Sequence, residues 1–320
     1  MTYDQEKQVA IDATMIASKL CEEVRGNIPP AMEKIDKSPV TVADYGAQAI
    51  ICRAIRQIFP NDPIVGEEDA TELRKPEMAE ELAKITQYVK NQIPDATADQ
   101  ILDWIDYGNG QVTDRYWTLD PIDGTKGFVR QDQYAIALAL VEKGEVKVGV
   151  LGCPAMPVTD HAPGVLYVAV RGAGAMMMPF ATGVFSPIQV VTPDDVTNFR
   201  FVESVESSHG DQERQNAIAQ AVGITSPSVR MDSQAKYGAV ASGQAGLYLR
   251  LPSPKYPDYR ENIWDHAAGA IVVEEAGGKV SDMFGQPLNF ADGAKMLNNR
   301  GVVVSNGTIH DQVIEVLKKS

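Results

Sequence analysis

The chain has 320 residues, 44% of them hydrophobic, enough to bury a sizeable core in one large or two modest domains. Its formal charge of -14 and pI near 4.8 exclude the broad electropositive surface that general nucleic-acid binding requires, so an anionic ligand would need local compensation of the kind bound divalent cations supply. No apolar run reaches the roughly 18 residues of a membrane span, the start MTYDQEKQVA lacks the basic-then-apolar pattern of a signal peptide, and Cys21, Cys52 and Cys153 match no zinc or redox spacing, so a cytoplasmic protein with reduced thiols is expected.

Val9, Ala13, Ile16, Leu20 and Val24 recur at helical spacing, as do Ala47, Ile50, Ala54, Ile55 and Ile58, so two amphipathic helices should open the fold. DPIVGEE reads as a short strand ending in paired acids. A polar excursion over 69–114, read as a lobe or lid, holds one helix on Met78, Leu82, Ile85 and Val89. A second begins with a capping box of Thr97 and Gln100 and carries Ile101, Leu102 and Ile105. Tyr116, Trp117, Thr118 and Leu119 then form a buried strand. YAIALALVEKGEVKVGVLGCP reads as two strands joined by a turn at Lys143 and Gly144, and GVLYVAVRGAGAMMMP as a second hairpin, giving an antiparallel region. From about Asn198 strands and helices alternate: FRFVESV, a helix ending near Gly223, strands around Val229 and Leu247, a helix from Asp265 to Ala276, and GVVVSN. The expected fold class is α/β, with an N-terminal α+β domain over 1–195 built on an antiparallel sheet and a smaller C-terminal α/β domain over 196–320.

The stretch YWTLDPIDGTKGF concentrates the chemistry. Asp, Pro and Gly are ordinary turn residues, so Asp120, Pro121, Asp123 and Gly124 are compatible with a solvated turn. The preceding strand instead carries the first acid to a carboxyl edge, where open α/β sheets bind ligands. Asp120, Asp123 and the carbonyl of Ile122 are hard oxygen donors suited to Mg²⁺, and the N–H groups of Gly124 and Thr125 suit a phosphate. Glu67 and Glu68 in GEE read equally as a solvated loop, and Asp44 and Asp265 as helix caps.

Together GEE, DPIDGTKGF and WDHAAG followed by EAGG resemble the lithium-sensitive, magnesium-dependent phosphatase superfamily of inositol monophosphatase and fructose-1,6-bisphosphatase. SPVTVADYGAQA, FVESVESSHGDQ, DSQAKYG and YLRLP are similar to its 3′(2′),5′-bisphosphate nucleotidase branch, and the resemblance spans nearly the whole chain. It implies a layered sandwich of the sugar-phosphatase type, with Glu67, Asp120, the Ile122 carbonyl, Asp123 and Asp265 holding two or three Mg²⁺. Asp44 and Thr125 would activate water, while Gly124, Thr125, His209, Ser233, Lys236, Arg250 and Asp265 would contact substrate. The implied reaction is removal of the 3′-phosphate of adenosine 3′,5′-bisphosphate, giving AMP, and likewise of its 5′-phosphosulfate analogue. The implied partner is that small nucleotide, with no nucleic acid, membrane or obligate protein partner. An inositol polyphosphate 1-phosphatase, a dual-specificity phosphatase and a non-catalytic nucleotide sensor are the rival expectations. Glu68, Lys126 and Arg130 lie near the motifs without an assigned role, and Tyr237 and Tyr248 read as core.

Overall fold

The computed structural model describes residues 2–28, 38–158, 161–195, 197–206, 211–253, 255–256 and 258–319. Helices α1 (Asp4–Gly26) and α2 (Ser38–Ile58) precede a short strand, β1 (Ile64–Gly66). Helices α3 (Ala79–Gln92) and α4 (Ala98–Asp106) follow, then β2 (Arg115–Asp123) and the short α5 (Thr125–Val129). Strands β3 (Ala135–Glu142), β4 (Glu145–Cys153), β5 (Val165–Val170), β6 (Gly174–Pro179) and β7 (Ser186–Pro187) complete a sheet whose spatial order is the chain order. The second sheet, in the order β11-β12-β10-β8-β9, is built from β8 (Arg200–Ser204), β9 (Ser226–Met231), β10 (Leu247–Arg250), β11 (Lys279–Ser281) and β12 (Val302–Ser305). Interleaved with it are α6 (Gln212–Ala221), α7 (Ala235–Ala241), α8 (Ala267–Glu275) and α9 (His310–Leu317).

The first sheet is mixed, which corrects the expectation of a purely antiparallel one: β1 and β2 run parallel, whereas every later pair is antiparallel. A parallel pair needs a crossover of a dozen residues or more. The 69–114 excursion is that crossover. It is not a lobe or lid, because Ile85, Val89, Ile101, Leu102 and Ile105 are buried in one core with α1 and α2. Its capping box forms as expected, with Thr97 and Gln100 satisfying each other's backbone N–H groups.

Five layers result. Along YAIALAL the side chains alternate: Ile136, Leu138 and Leu140 face the outer helices α1 to α4, while Ala135, Ala137 and Ala139 face α7 and α8. Across that central helical layer Val202, Tyr248, Val302 and Val304 of the second sheet close the same core. Phe201, Leu247, Leu249 and Val303 point the other way, against α6 and α9. The alanine face exists because α8 lies very close to it. A Cβ on Gly149 would stand 2.3 Å from Ile271 Cγ2, and one on Gly269 would stand 2.4 Å from the Tyr237 ring. Helix α8 is accordingly buried along its first seven residues, Ala267 to Val273, with sheet on both sides.

Helix α1 forms where its spacing predicts, but its buried stripe runs through Ala10, Ala13, Thr14, Ala17, Leu20, Cys21 and Val24, and Ile16 is 41% exposed. Small residues let α1 approach the sheet closely, so the larger Ile16 lies on its outer side. Tyr237 and Tyr248 are buried in the core, as expected. No described helix is long and apolar enough to cross a membrane.

Candidate active site

Strands β1 and β2 pair with Ile64, Val65 and Gly66 opposite Trp117, Thr118 and Leu119, so the chain leaves both at one edge of the sheet. The Glu67 N–H donates to the Leu119 carbonyl at 3.1 Å, which sets Glu67 beside Asp120. The β2–β3 ladder runs to Asp120 opposite Ala137 and resumes at Asp123 opposite Ala135. Two residues, Pro121 and Ile122, thus oppose only Ile136, which makes a β-bulge. Positions three apart on an unbroken strand face opposite sides; the extra residue brings Asp120 and Asp123 onto one face, that of α7 and α8. Proline tolerates such a place because it has no N–H to lose from the ladder. Ile122 keeps its side chain in the outer helical core and its backbone outside the regular pairing.

Gly124 follows at φ +89, in the left-handed region that favours glycine, and starts α5. A Cβ there would meet the Ser233 Cβ at 2.8 Å, and one on Gly127 would meet the Asp232 Cβ at 2.9 Å. The glycines of DGTKG therefore admit the turn between β9 and α7, which comes from the second sheet. In that turn Ser233 itself has φ +62, and its hydroxyl accepts the Ala235 N–H at 3.1 Å. The Gln234 N–H donates to Asp123 Oδ2 at 2.5 Å. The Gln234 side chain donates to the Trp264 carbonyl at 2.9 Å and accepts from the Gly269 N–H at 3.1 Å. One buried glutamine thus joins Asp123 to the start of α8, just after Asp265. The Asp265 carboxylate accepts the Asn262 N–H at 3.1 Å.

These acids share one field. Burial pushes Asp120 well above the usual carboxylate range, and Glu67, Asp123 and Asp265 push it further. Glu67 rises to about 7, first by burial and then through Asp265, Glu68 and Asp123, against a hydrogen bond from Asp120. Burial lifts Asp265 to about 6, with Asp123 and Glu261 adding to it and His266 opposing. Asp123 is also raised by burial, although Lys236, the Gln234 N–H, His266 and Arg250 restrain it. Asp120 Oδ1 is buried with no hydrogen-bond partner among the described residues. A cluster of carboxylates with an orphaned oxygen is disfavoured in its ionised form unless a cation sits among them, and an all-oxygen donor set suits a hard divalent ion. The residues fit Mg²⁺.

Glu261, Asp265 and His266 also offer ligand atoms within 4.8 Å of one another. Two of the three are already engaged. Arg250 Nε donates to Glu261 Oε1 at 3.2 Å, His266 Nε2 lies 3.4 Å from Glu261 Oε2, and His266 Nδ1 is 2.7 Å from the Tyr237 hydroxyl. Burial alone would raise Glu261, but His266 and Arg250 hold it at about 2. Asp265 is the member that belongs to the acidic cluster.

Asp44, on α2, is buried, and burial, Glu68 and Glu67 all raise it well above its ordinary value. Thr125 is exposed at the start of α5, against which α2 packs. The structure brings both toward the acidic cluster without a hydrogen bond between them. Lys236 is no surface cation: it is 4% exposed, with its ammonium 5.2 Å from the Tyr248 ring centroid and 3.4 Å from the Met231 carbonyl. Burial lowers it to about 8, with Asp123 and Asp232 opposing and Arg250 adding to the fall. Lys236 and Arg250 thus stand in the field of Asp123. His209 lies outside the described residues.

Three residues escaped the sequence reading. Besides Gln234 and Glu261, Gln48 is fully buried on α2; its side chain accepts the Glu68 N–H at 3.1 Å and donates to the Glu68 and Ile105 carbonyls. It holds the GEE turn in place, and a Cβ on Gly66 would collide with it at 2.8 Å. Only a polar residue amid the apolar stripe of QAII hinted at that role.

The five layers form a fold already known from solved structures. An inositol monophosphatase from Zymomonas mobilis matches at a TM-score of 0.65 and 18% identity over 99% of either chain. The chain belongs to the inositol monophosphatase family, whose profile matches residues 4–320. Among curated relatives, the 3′(2′),5′-bisphosphate nucleotidase of Emericella nidulans is 43% identical over 100% of this chain and 99% of its own length. The protein of the same name from Schizosaccharomyces pombe is 43% identical over 98% of this chain and 95% of its own.

Proposed function

We propose that this protein is a magnesium-dependent phosphatase that hydrolyses the 3′-phosphate of adenosine 3′,5′-bisphosphate to AMP and phosphate, and acts likewise on the 5′-phosphosulfate analogue. The observation that carries this reading is the buried Lys236 with Arg250 beside the acidic cluster. Two fixed positive charges next to a site for a scissile phosphate suit a substrate with a second anionic group, as the names of the curated relatives also suggest.

Glu67, Asp120, the carbonyl of Ile122, Asp123 and Asp265 would hold the metal, two or three ions in all. When bound, Mg²⁺ supplies positive charge that neutralises the cluster and stabilises the phosphoryl oxygens. The N–H groups of Gly124 and Thr125 orient the scissile phosphate at the start of α5. The Thr125 hydroxyl takes a proton from the attacking water and passes its own to the ionised Asp44 carboxylate, whose buried setting beside Glu67 and Glu68 raises its affinity for that proton. The water oxygen bonds to phosphorus, the bond from phosphorus to the 3′ oxygen breaks, and that oxygen leaves with a proton from solvent. Ser233, Lys236, Arg250 and His209 hold the rest of the nucleotide.

Phosphate release from adenosine 3′,5′-bisphosphate, its phosphosulfate analogue and inositol 1,4-bisphosphate, measured side by side with Mg²⁺, tests the reading. Preference for the nucleotides is expected. Preference for the inositol would make the protein an inositol polyphosphate 1-phosphatase, comparable rates a dual-specificity phosphatase, and release from none a nucleotide sensor.

Lys236→Met should weaken kcat/KM for the nucleotide by roughly 10- to 150-fold, the worth of a hydrogen bond to a charged group. The loss should fall mainly on KM, because that contact is the same in ground and transition states. Arg250→Met should act in the same direction but would also strand the Glu261 carboxylate, so Lys236→Met is the cleaner variant. Equal losses on an inositol phosphate would assign Lys236 to the fold or the metal site instead.

A further inference from the structure

Arg130 follows α5 directly, and its guanidinium meets three carboxylates from three segments. Nε donates to Asp132 at 3.2 Å, Nη1 to Glu206 and Nη2 to Asp232. Lys126, one residue after Thr125, donates to the same Glu206 at 2.9 Å. Glu206 lies two residues beyond the end of β8, and Asp232 opens the turn into α7 that carries Ser233, Gln234 and Lys236. Exposed ion pairs contribute little, but the Asp232 side chain is only 5% exposed and is compensated chiefly by Arg130, which hydrogen-bonds it, with Lys236 adding to the effect. The hydrogen bond from Gln234 already anchors one end of the turn to Asp123. Arg130 anchors the other end, on the far side of Ser233.

We propose that Arg130 is a positioning residue: it fastens the β9–α7 turn and the exit of β8 onto α5, so that the side of the pocket holding the nucleotide stays in register with the side holding the metal. This rests on the nucleotide reading above. Lys236 stands four positions after Asp232, less than one and a half helical turns, so a turn that swivels at Asp232 carries the ammonium away from its place near Asp123. The acids of β1 and β2 do not depend on Arg130, because their geometry comes from the strand pairing and the bulge. Binding of the nucleotide body should therefore be sensitive to Arg130 while binding of the scissile phosphate is not.

Calorimetric binding of AMP and of inorganic phosphate, each with Mg²⁺ present, separates the two sides. Arg130→Gln and the pair Arg130→Gln with Asp232→Asn should each weaken AMP binding by about tenfold and leave phosphate binding within about twofold. The double variant guards against misfolding, since it removes the carboxylate that Arg130→Gln would strand. Arg130→Lys keeps the charge without the three-way geometry and should recover only part of the loss. Glu206→Gln, which frees one arm and strands no buried charge, should give a smaller loss of the same kind. Unchanged AMP binding in the folded double variant, or equal weakening of AMP and phosphate, would overturn the proposal alone. Wild-type protein that binds phosphate but no AMP would overturn the nucleotide reading and this proposal with it.

Discussion

Chelating divalent cations is expected to take phosphate release below detection, and Asp120→Asn to cost nearly as much at ordinary magnesium concentrations. Asp120 sits at the centre of the cluster: it feels Glu67, Asp123 and Asp265 together, and one of its oxygens has no hydrogen-bond partner among the described residues. Asparagine keeps the shape but removes a charge on which the proposed metal-binding set relies. The metal-free protein carries a second signature. Glu67 at about 7 and Asp265 at about 6 lie above their unfolded values, so the native chain binds more protons than the unfolded chain at intermediate pH. Stability of the metal-free protein should fall as pH rises from about 4 to about 7, the direction linkage requires. Added Mg²⁺ should therefore raise the melting temperature more at pH 8 than at pH 5. Full turnover in excess EDTA, or a thermal shift that ignores pH, would remove the metal site from the acidic cluster.

The other large effect is expected at Asp44. Asp44→Asn should lower kcat by roughly 100-fold or more, the usual scale for loss of acid–base assistance, and Thr125→Ala should do the same. The variant at 44 has an unusual companion effect. Burial beside Glu67 and Glu68 penalises the ionised Asp44, which has no hydrogen bond to support its charge among the described residues, so wherever the wild-type carboxyl is ionised the neutral amide removes that cost. Its melting temperature should match or exceed that of the wild type. A carboxylate kept at a cost to the fold is what a functional role predicts. Wild-type turnover in either variant would exclude the relay between Thr125 and Asp44.

Much of this arrangement is legible in the chain, and the reasons differ from residue to residue. The strand before Asp120, the hairpin turn at Lys143 and Gly144, and the capping box at Thr97 and Gln100 rest on local chemistry and form as their patterns predict. The bulge at Pro121 and Ile122 is not local, because it is defined by register against Ala135 and Ala137, which no spacing within DPID discloses. Helix α7 goes unseen for a related reason. AKYGAVA is buried along its whole length, so no polar face marks its period. The excursion over 69–114 reads as a detached lobe because its surface is polar, yet the parallel pairing of β1 with β2 makes it an obligatory crossover. That Lys236 is a buried cation is not legible either, because only the approach of Tyr248 and the second sheet makes it one.

The alanine face of the first sheet bears on how the two halves evolve. Because α7 and α8 lie between both sheets and touch each at small residues, a larger side chain at Gly149, Ala137 or Gly269 cannot be accommodated by local repacking; it displaces a helix that the opposite sheet also depends on. Substitutions in the middle layer are therefore coupled across the whole molecule. Variation in substrate preference is left to the places where the halves meet at their rims, in the loops around Asp232, Glu206 and Glu261. On the proposed function, residues that select the substrate would vary at those rims, while α7 and α8 in the middle layer stay fixed between the two sheets.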